Sequence, residues 1–316
     1  MISFIIIGRN EGWKLTKCIE SVVNTIIENK LTNYEIIYVD SKSADDSIER
    51  AQRFAQVKIF QLTGDYNAAI ARNLGADKSS GDILFFIDGD MELIPESLSN
   101  FYTEESSLTY PFLSGNWNNF YYNQKDEFLR KDNGLGLKEN LKTSTVGGLF
   151  LIKKDLWYSI NGMRNDFKRS QDIDFALRLA KEGTLLLRKK DFLVYHHMIS
   201  YFDKKRKWKL LLMGADLYGR SYLYRKNLLN KYCWKRIVRN DYSVMILTLS
   251  VILSVLINSF LPLIVYLLIL IPKTLSKRRN YLSNYLYFLL RDIFVLLGSF
   301  LFWPKKFKNI NYLEIQ

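Results

Sequence analysis

The chain of 316 residues contains two cysteines, Cys18 and Cys233, far apart and in no metal-ligand spacing. A disulfide-stapled scaffold is excluded, and a reducing compartment is the expected setting. No basic segment, apolar stretch and cleavage site open the chain, which enters an apolar run at once, so no secretory signal is expected. The first 200 residues lack internal repeats and low-complexity linkers, which makes residues 1–200 one expected domain. Acidic residues are scarce further on: from residue 201 there are 5 Asp and Glu against 20 Lys and Arg, whereas the first 200 residues carry 27 against 25. The formal charge of +13 therefore belongs to the last third of the chain. No base-reading element accompanies that charge, which excludes a nucleic-acid partner. It flanks long apolar segments instead, the pattern that meets anionic lipid headgroups.

Hydrophobic residues make up 48% of the chain, enough for a proper core. In the first half, short apolar runs at residues 3–7, 35–39, 57–61 and 83–87 alternate with helical patterns at 12–29, 45–54 and 67–76. Strands alternating with helices imply an α/β fold, a doubly wound and mostly parallel sheet of Rossmann-like type with helices on both faces. Residues 112–120 and 147–152 read as further strands. A short helix starts at Lys154, and residues 172–182 form an amphipathic one with Phe175, Ala176, Leu179 and Ala180 on its apolar face.

Asp88-Gly89-Asp90 directly follows the apolar run Ile83-Leu84-Phe85-Phe86-Ile87. A buried strand thus delivers two carboxylates, one residue apart, to its C-terminal end, the edge where open α/β sheets bind ligands. Hard oxygen donors on a rigid element suit Mg²⁺ or Mn²⁺, and such an ion suits a diphosphate. Glu11 follows the first strand and Asp40 ends the second. Parallel strands point their C-termini the same way, so Glu11, Asp40, Asp88 and Asp90 are expected to converge; capping of the following helices is the alternative for Glu11 and Asp40. Arg72, among small residues before the fourth strand, can turn toward these acids or a phosphate, or lie on the surface. Asp172, at the start of the amphipathic helix, is either a proton acceptor or a cap. His196 and His197, the two histidines of the chain, follow the apolar run 192–195 and are either metal or diphosphate ligands or half-buried structural residues.

These motifs, in this order, resemble the family 2 glycosyltransferases of GT-A fold from Ile5 to about Tyr224. The matching stretches are Ile5-Ile6-Ile7-Gly8-Arg9-Asn10-Glu11, Tyr38-Val39-Asp40-Ser41-Lys42-Ser43, Ala71-Arg72-Asn73-Leu74-Gly75, Phe86-Ile87-Asp88-Gly89-Asp90, Gly147-Gly148-Leu149-Phe150 and Gln171-Asp172-Ile173-Asp174. The resemblance implies an inverting, metal-dependent hexosyltransferase acting in cell-surface polysaccharide or glycolipid synthesis. It implies donor contacts from Glu11, Asp40, Arg72 and Asp88, a Mn²⁺ or Mg²⁺ site at Asp90 and Asp88 with His196 or His197 as a further ligand, and Asp172 as general base. The implied donor is a nucleotide sugar, expected to be UDP-linked. Gln171 stands where the family usually has an acid. The opening Gly-Arg-Asn-Glu lacks the frequent proline and aromatic, and no Gln-x-x-Arg-Trp follows the base, which argues against a processive polymer synthase.

Residues 244–271 run 28 positions without a charged side chain, longer than the roughly 20 that cross a bilayer. Asn258, Ser259 and Pro262 interrupt the run; Lys235, Arg236 and Arg239 precede it, and Lys273, Lys277, Arg278 and Arg279 follow it. Positive charge on both flanks fits a hairpin with both ends on the cytoplasmic side, with a single tilted span as the competing reading. A second apolar stretch, 285–303, contains Arg291-Asp292, a pair costly in lipid unless the segment is interfacial or the pair is shielded. The expected organisation is a GT-A catalytic domain at 1–200 (nucleotide-sugar half about 1–95, acceptor half about 96–200), a basic amphipathic helical connection at 201–243 and membrane-associated helices at 244–316. The expected place is the cytoplasmic face of the cell membrane, and the expected acceptor a lipid-linked glycan or a polyprenyl phosphate. Two other classes compete: a sugar nucleotidyltransferase, disfavoured because no Gly-rich N-terminal loop is present to take a triphosphate, and a non-catalytic membrane scaffold, for which Gln171 is the one hint.

Overall fold

The computed structural model describes every residue except 104–106, 201–205, 277–279, 306 and 308. The chain forms two compact units, Met1–Phe202 with Lys306–Gln316, and Asp203–Lys305.

The first unit is built on a sheet of eleven strands among the described residues. Strands β1 (Ile2–Gly8), β2 (Tyr34–Asp40), β3 (Val57–Leu62) and β4 (Ile83–Asp88) run parallel in the order β3-β2-β1-β4. Their crossovers are helices α1 (Trp13–Glu28), the short α2 (Ser47–Ala51) and α3 (Ala68–Lys78). Strand β1 is apolar on both faces because both faces are covered. Ile2, Phe4 and Ile6 pack with Leu15, Cys18, Ile19 and Val22 of α1, while Ile5 and Ile7 pack with Ala71 and Leu74 of α3. Helix α3 lies so close to β1 that a Cβ at Gly75 would stand 2.3 Å from Ile5 Cγ2.

The other half is mixed. Beyond β4 come β5 (Met91–Leu93), β6 (Phe112–Tyr122), β7 (Phe128–Asn133), β8 (Leu141–Thr143), β9 (Phe150–Lys153) and β10 (Leu186–Ile199), with helices α4 (Lys154–Ser159) and α5 (Gln171–Lys181). Strand β9 pairs antiparallel with β4, β6 runs parallel to β10, and β5 pairs antiparallel with β10. Trp157 of α4 and Phe175 of α5 stack on Phe86 and Phe150 and close this side of the core. The last strand, β11 (Tyr312–Glu314), pairs antiparallel with the outer edge of β3, and Gln316 caps that edge through Phe54 O and Val57 O. Burial of β3's open edge is thus supplied from the far end of the chain.

The second unit is helical. Helix α6 (Arg206–Leu212) is followed by a π-helical segment, Leu217–Tyr222, then α7 (Leu223–Lys226) and α8 (Lys231–Asn240). Helix α9 (Tyr242–Leu256) bends away from α8 by 95°. The uncharged stretch read from the sequence is a hairpin, not one tilted span: α9 and α10 (Leu261–Leu275) pack on each other, with Asn258 between them at φ 49°. Asparagine tolerates that left-handed backbone, and Pro262 fits the first turn of the next helix. At about 22 Å each, α9 and α10 are shorter than a hydrocarbon core of about 30 Å. Helix α11 (Tyr281–Leu301) is the one helix among the described residues long and apolar enough to cross a bilayer. Arg291 and Asp292 are buried within this unit. Arg291 Nη2 donates to Asp292 Oδ1 (2.6 Å) and Ser243 Oγ (3.3 Å), and Tyr266 OH donates to Asp292 Oδ2 (3.2 Å). Lys277, Arg278 and Arg279, expected to flank the hairpin, lie outside the described residues.

The α3–β1 contact sets up a test. Gly75→Ala improves helix propensity by up to about 1 kcal/mol, but overpacking against a stiff, buried isoleucine costs about 1–3 kcal/mol. A net loss is expected, read as a lower urea midpoint at unchanged slope.

Candidate active site

The carboxyl ends of β1 and β4 are neighbours, with Ile7 in register with Asp88. Together with the loops after β1, β2 and β4 they wall a cavity of about 260 Å³ lined by Gly8, Arg9, Glu11, Ser41, Tyr66, Asp88 and Asp90 among others. Three of the four expected carboxylates, Glu11, Asp88 and Asp90, thus meet at one cavity. Asp40 reaches the same edge of the sheet, but its carboxylate is buried behind the wall. It accepts from Tyr38 OH (2.9 Å), Ser43 N (2.8 Å) and Gln61 Nε2 (3.4 Å), so it braces the loop that presents Ser41.

Each cavity acid has a basic neighbour. Arg72 Nη2 donates to Asp88 Oδ1 at 2.5 Å, and Lys14 Nζ to Glu11 Oε2 at 2.5 Å. His196 Nε2 lies 3.3 Å from Asp90 Oδ2. Gly148, ahead of β9, makes room for this arrangement: a Cβ there would fall 1.7 Å from Asp88 Oδ2. A Cβ at Gly89 would be tight, with Glu11 Cγ at 3.2 Å and Ile7 O at 3.3 Å, so a neighbour would have to give by a few tenths of an ångström.

Burial, and then the charge of Asp90, push the Glu11 carboxyl above its usual range, against the pull of Lys14. Burial also raises Asp88, opposed by Arg72 and reinforced by Asp90. Asp90 is buried as well, yet the hydrogen bond and charge of His196, with Lys14, hold its carboxyl below the ordinary value. In return, burial disfavours the His196 cation, but Asp90 prevails and the ring's pKa is raised. His196 Nδ1 faces Asn119 Oδ1 at 3.2 Å, a second acceptor that suits the doubly protonated ring. Asn119 is fixed in that orientation by donating Nδ2 to Asp132.

The two histidines separate. Successive residues of a strand face opposite sides, so His196 turns to Asp90 while His197 turns to Glu92 (2.7 Å) and Tyr122 OH (3.0 Å). His197 is also linked to the site through its backbone, donating N–H to Asp90 O at 2.8 Å.

Asp172 lies in the first turn of α5, after Ser170 at φ 60°, and its Oδ1 accepts from Ile173 N at 2.9 Å. Burial raises its pKa, with Arg72 opposing and Asp88 adding to the rise. Asp172 therefore shares the electrostatic field of the cavity acids. Asp174, two residues on, points elsewhere, as helix geometry requires. It is fully buried between Arg164 Nη1 (2.8 Å) and Arg178 Nε (2.9 Å), and Arg178 also donates to Ile160 O and Gly162 O at 2.6 Å. This network anchors the helix that carries Asp172.

Sequence reading missed Lys14, Arg9, Tyr66 and Asn119. Lys14 had a signal, since it follows Glu11 by three residues at a helix start. Arg9 stacks on Tyr66 with its guanidinium carbon 4.4 Å from the ring centre. That contact joins two loops 57 positions apart and has no local signature.

A divalent cation fits this donor set. Asp90 Oδ1 is buried with no hydrogen-bond partner, and a free carboxylate oxygen suits Mn²⁺ or Mg²⁺. Among the described residues no three His, Cys, Asp or Glu side chains are grouped to hold a metal by themselves. The rest of the coordination shell would come from a diphosphate and water, the usual way Mg²⁺ is held.

A sequence model of the family "Glycosyl transferase family 2" matches residues 3–175. The chain belongs to glycosyl transferase family 2. An uncharacterized glycosyltransferase of Haemophilus influenzae is 25% identical over 194 residues, covering 58% of this chain and 63% of that one. The chain thus matches less than two thirds of that relative's length. The poly(ribitol-phosphate) beta-N-acetylglucosaminyltransferase TarP of Staphylococcus aureus is 33% identical over 109 residues, 32% of either chain. Among solved structures, S. aureus TarS in complex with UDP-GlcNAc superposes with a TM-score of 0.51 at 16% identity, covering 68% of this chain and 66% of that one. That likeness identifies the first unit as a GT-A fold.

The His196–Asp90 contact is testable by NMR. The His196 ring should titrate above the ordinary histidine value in the wild type. In Asp90→Asn, where only the charge of Asp88 is left to oppose burial, it should titrate lower, with the His196→Gln spectrum assigning the signal.

Proposed function

We propose that the protein is an inverting, metal-dependent glycosyltransferase that moves a sugar from a UDP-sugar to a lipid-linked glycan on the cytoplasmic face of the membrane. The observation that carries this reading is the meeting of Glu11, Asp88 and Asp90 at one cavity, with one Asp90 oxygen left without a partner. The nucleotide would lie over the ends of β1 and β2, against Arg9, Tyr66 and Ser41, with Asp40 bracing the loop beneath it. Glu11, Arg72 and Asp88 would orient the donor, and Arg72 can also reach a phosphate oxygen. Asp90 would hold Mn²⁺ or Mg²⁺ through its unpartnered Oδ1, with Asp88 beside it and His196 engaged on the other Asp90 oxygen. When bound, that ion would neutralise charge on the departing diphosphate.

Asp172 is assigned the proton. Its ionised carboxylate accepts the hydrogen of the acceptor hydroxyl as that oxygen bonds to the anomeric carbon. The carbon's bond to the diphosphate oxygen breaks, and the electron pair leaves with the diphosphate. A single displacement inverts the configuration. A raised pKa makes Asp172 a better base than an ordinary aspartate.

Membrane attachment is supported by the outward faces of the helical unit. Leu256, Phe260, Leu282, Phe300 and Leu301 are each at least 70% exposed, an apolar surface far beyond scattered surface hydrophobics. The basic excess around these helices favours anionic lipid. A membrane-held enzyme meets acceptors anchored in the same membrane, and the relative TarP is named for transfer to a poly(ribitol-phosphate) acceptor.

Asp172→Asn should lower kcat by roughly 10²–10⁴-fold while UDP binding and the circular dichroism spectrum are retained. Asp90→Asn should abolish Mn²⁺-dependent transfer. Wild-type kcat/KM should fall as pH drops through the raised pKa of Asp172, because the proton then occupies the base; activity flat down to pH 4 would remove Asp172 from this role. In flotation assays, the full chain should rise with vesicles containing phosphatidylglycerol and much less with pure phosphatidylcholine, and less again at high salt.

A further inference from the structure

Lys14 has no part in the chemistry described above, yet it sits inside the acid cluster. A lysine is seldom buried, but the Lys14 side chain is only 11% exposed, and its Nζ is 2.5 Å from Glu11 Oε2. Its charge acts on Glu11, Asp90 and His196. With Arg72 on Asp88 and His196 on Asp90, every acid lining the cavity already has a basic side chain beside it. One ligand oxygen, Asp90 Oδ1, is left bare.

We propose that Lys14 is a resident cation that keeps a divalent metal out of the carboxylate cluster until a nucleoside diphosphate arrives, so that metal and nucleotide bind with strong mutual dependence. The inference rests on the metal-dependent reading above and adds an order of assembly to it. In the nucleotide-free cavity, an incoming dication meets the Lys14 ammonium and finds the Glu11 carboxylate engaged. Lys14 and Arg72 offset the charge of Glu11 and Asp88, so the field that draws the ion in is weakened. A bound diphosphate changes both conditions: it adds negative charge that Lys14 and the metal can share, and it supplies phosphate oxygens for the coordination shell. Metal and nucleotide then raise each other's affinity by the same factor. Lys14 is a positioning residue in this scheme, since it acts on the metal through the field and through Glu11.

The test is Mn²⁺ binding to the full-length protein, followed by the loss of the free-ion EPR signal, with and without UDP. The wild type should bind Mn²⁺ weakly alone and at least roughly tenfold more tightly with UDP. Lys14→Met should bind Mn²⁺ roughly tenfold more tightly than wild type in the absence of UDP, with the dependence on UDP correspondingly smaller. Lys14→Gln should show the same gain, because it keeps a hydrogen-bond donor to Glu11 and loses the charge. Lys14→Arg should behave as the wild type. A tighter metal site cannot arise from misfolding, so the gain separates this role from a merely structural one. If wild type shows UDP-dependent Mn²⁺ binding but neither neutral variant gains affinity without UDP, the role of Lys14 is overturned and the transferase reading stands. If wild type takes up no Mn²⁺ even with UDP, the metal-dependent reading falls and this inference falls with it.

Discussion

Bringing like charges together at the edge of a sheet is the constraint that shapes the catalytic unit. Glu11 and the Asp88–Asp90 pair leave adjacent parallel strands, so the fold forces them toward one another whatever the solvent does. Left alone, such a cluster would protonate or splay apart. It persists because α1 contributes Lys14, α3 contributes Arg72 and β10 contributes His196, one basic partner for each acid. The result is a site that keeps its acids in place while holding one carboxylate oxygen unused. This local charge balance sits in a half of the chain that is nearly neutral overall, whereas the basic excess is reserved for the helical part.

The backbone serves that cluster by getting out of its way. Gly75 lets α3 lie against β1, which puts Arg72 within reach of Asp88; Gly148 leaves room for the Asp88 carboxylate itself. These two glycines have no left-handed φ to justify them. They are small because something specific fills the space: a methyl group of Ile5 in one case and a carboxylate oxygen in the other. Asp174, buried between two arginines, does the complementary job of fixing α5, so that Asp172 is carried on an element that does not drift.

Legibility followed how local the determinant was. The four parallel strands and their helices were readable because a strand buried on both faces is a continuous apolar run, and α1 shows one apolar stripe. Glu11, Asp88 and Asp90 were readable because strand ends fix their direction, and Arg72 because it stands among small residues on the helix before β4. Strand β10 was not, since Arg188, Lys189, Lys190 and Asp191 lie in its first half and its pairing with β6 shifts register there. Without that strand, nothing assigned His196 and His197 to opposite sides. Strand β5 is three residues long and β11 meets β3 from some 250 residues away, so neither has a sequence pattern of its own. Asp40 was legible as a strand-end acid, but its burial depends on Tyr38 and Gln61, partners that only the sheet brings to it.

The helical unit obeys the same rule. An ion pair in the middle of an apolar helix is costly in lipid unless protein encloses it. Here α9 and α10 supply Ser243 and Tyr266 to Arg291 and Asp292, while residues such as Phe300 and Leu301 on the same helix face outward. Folding the uncharged stretch into two 15-residue helices is what makes this possible, because a single straight span would offer one face where the pair needs two. The turn at Asn258 therefore does more than shorten the apolar segment: it creates the enclosure that allows charge to be kept inside it. In both units, then, buried charge is tolerated only where the topology delivers its partner.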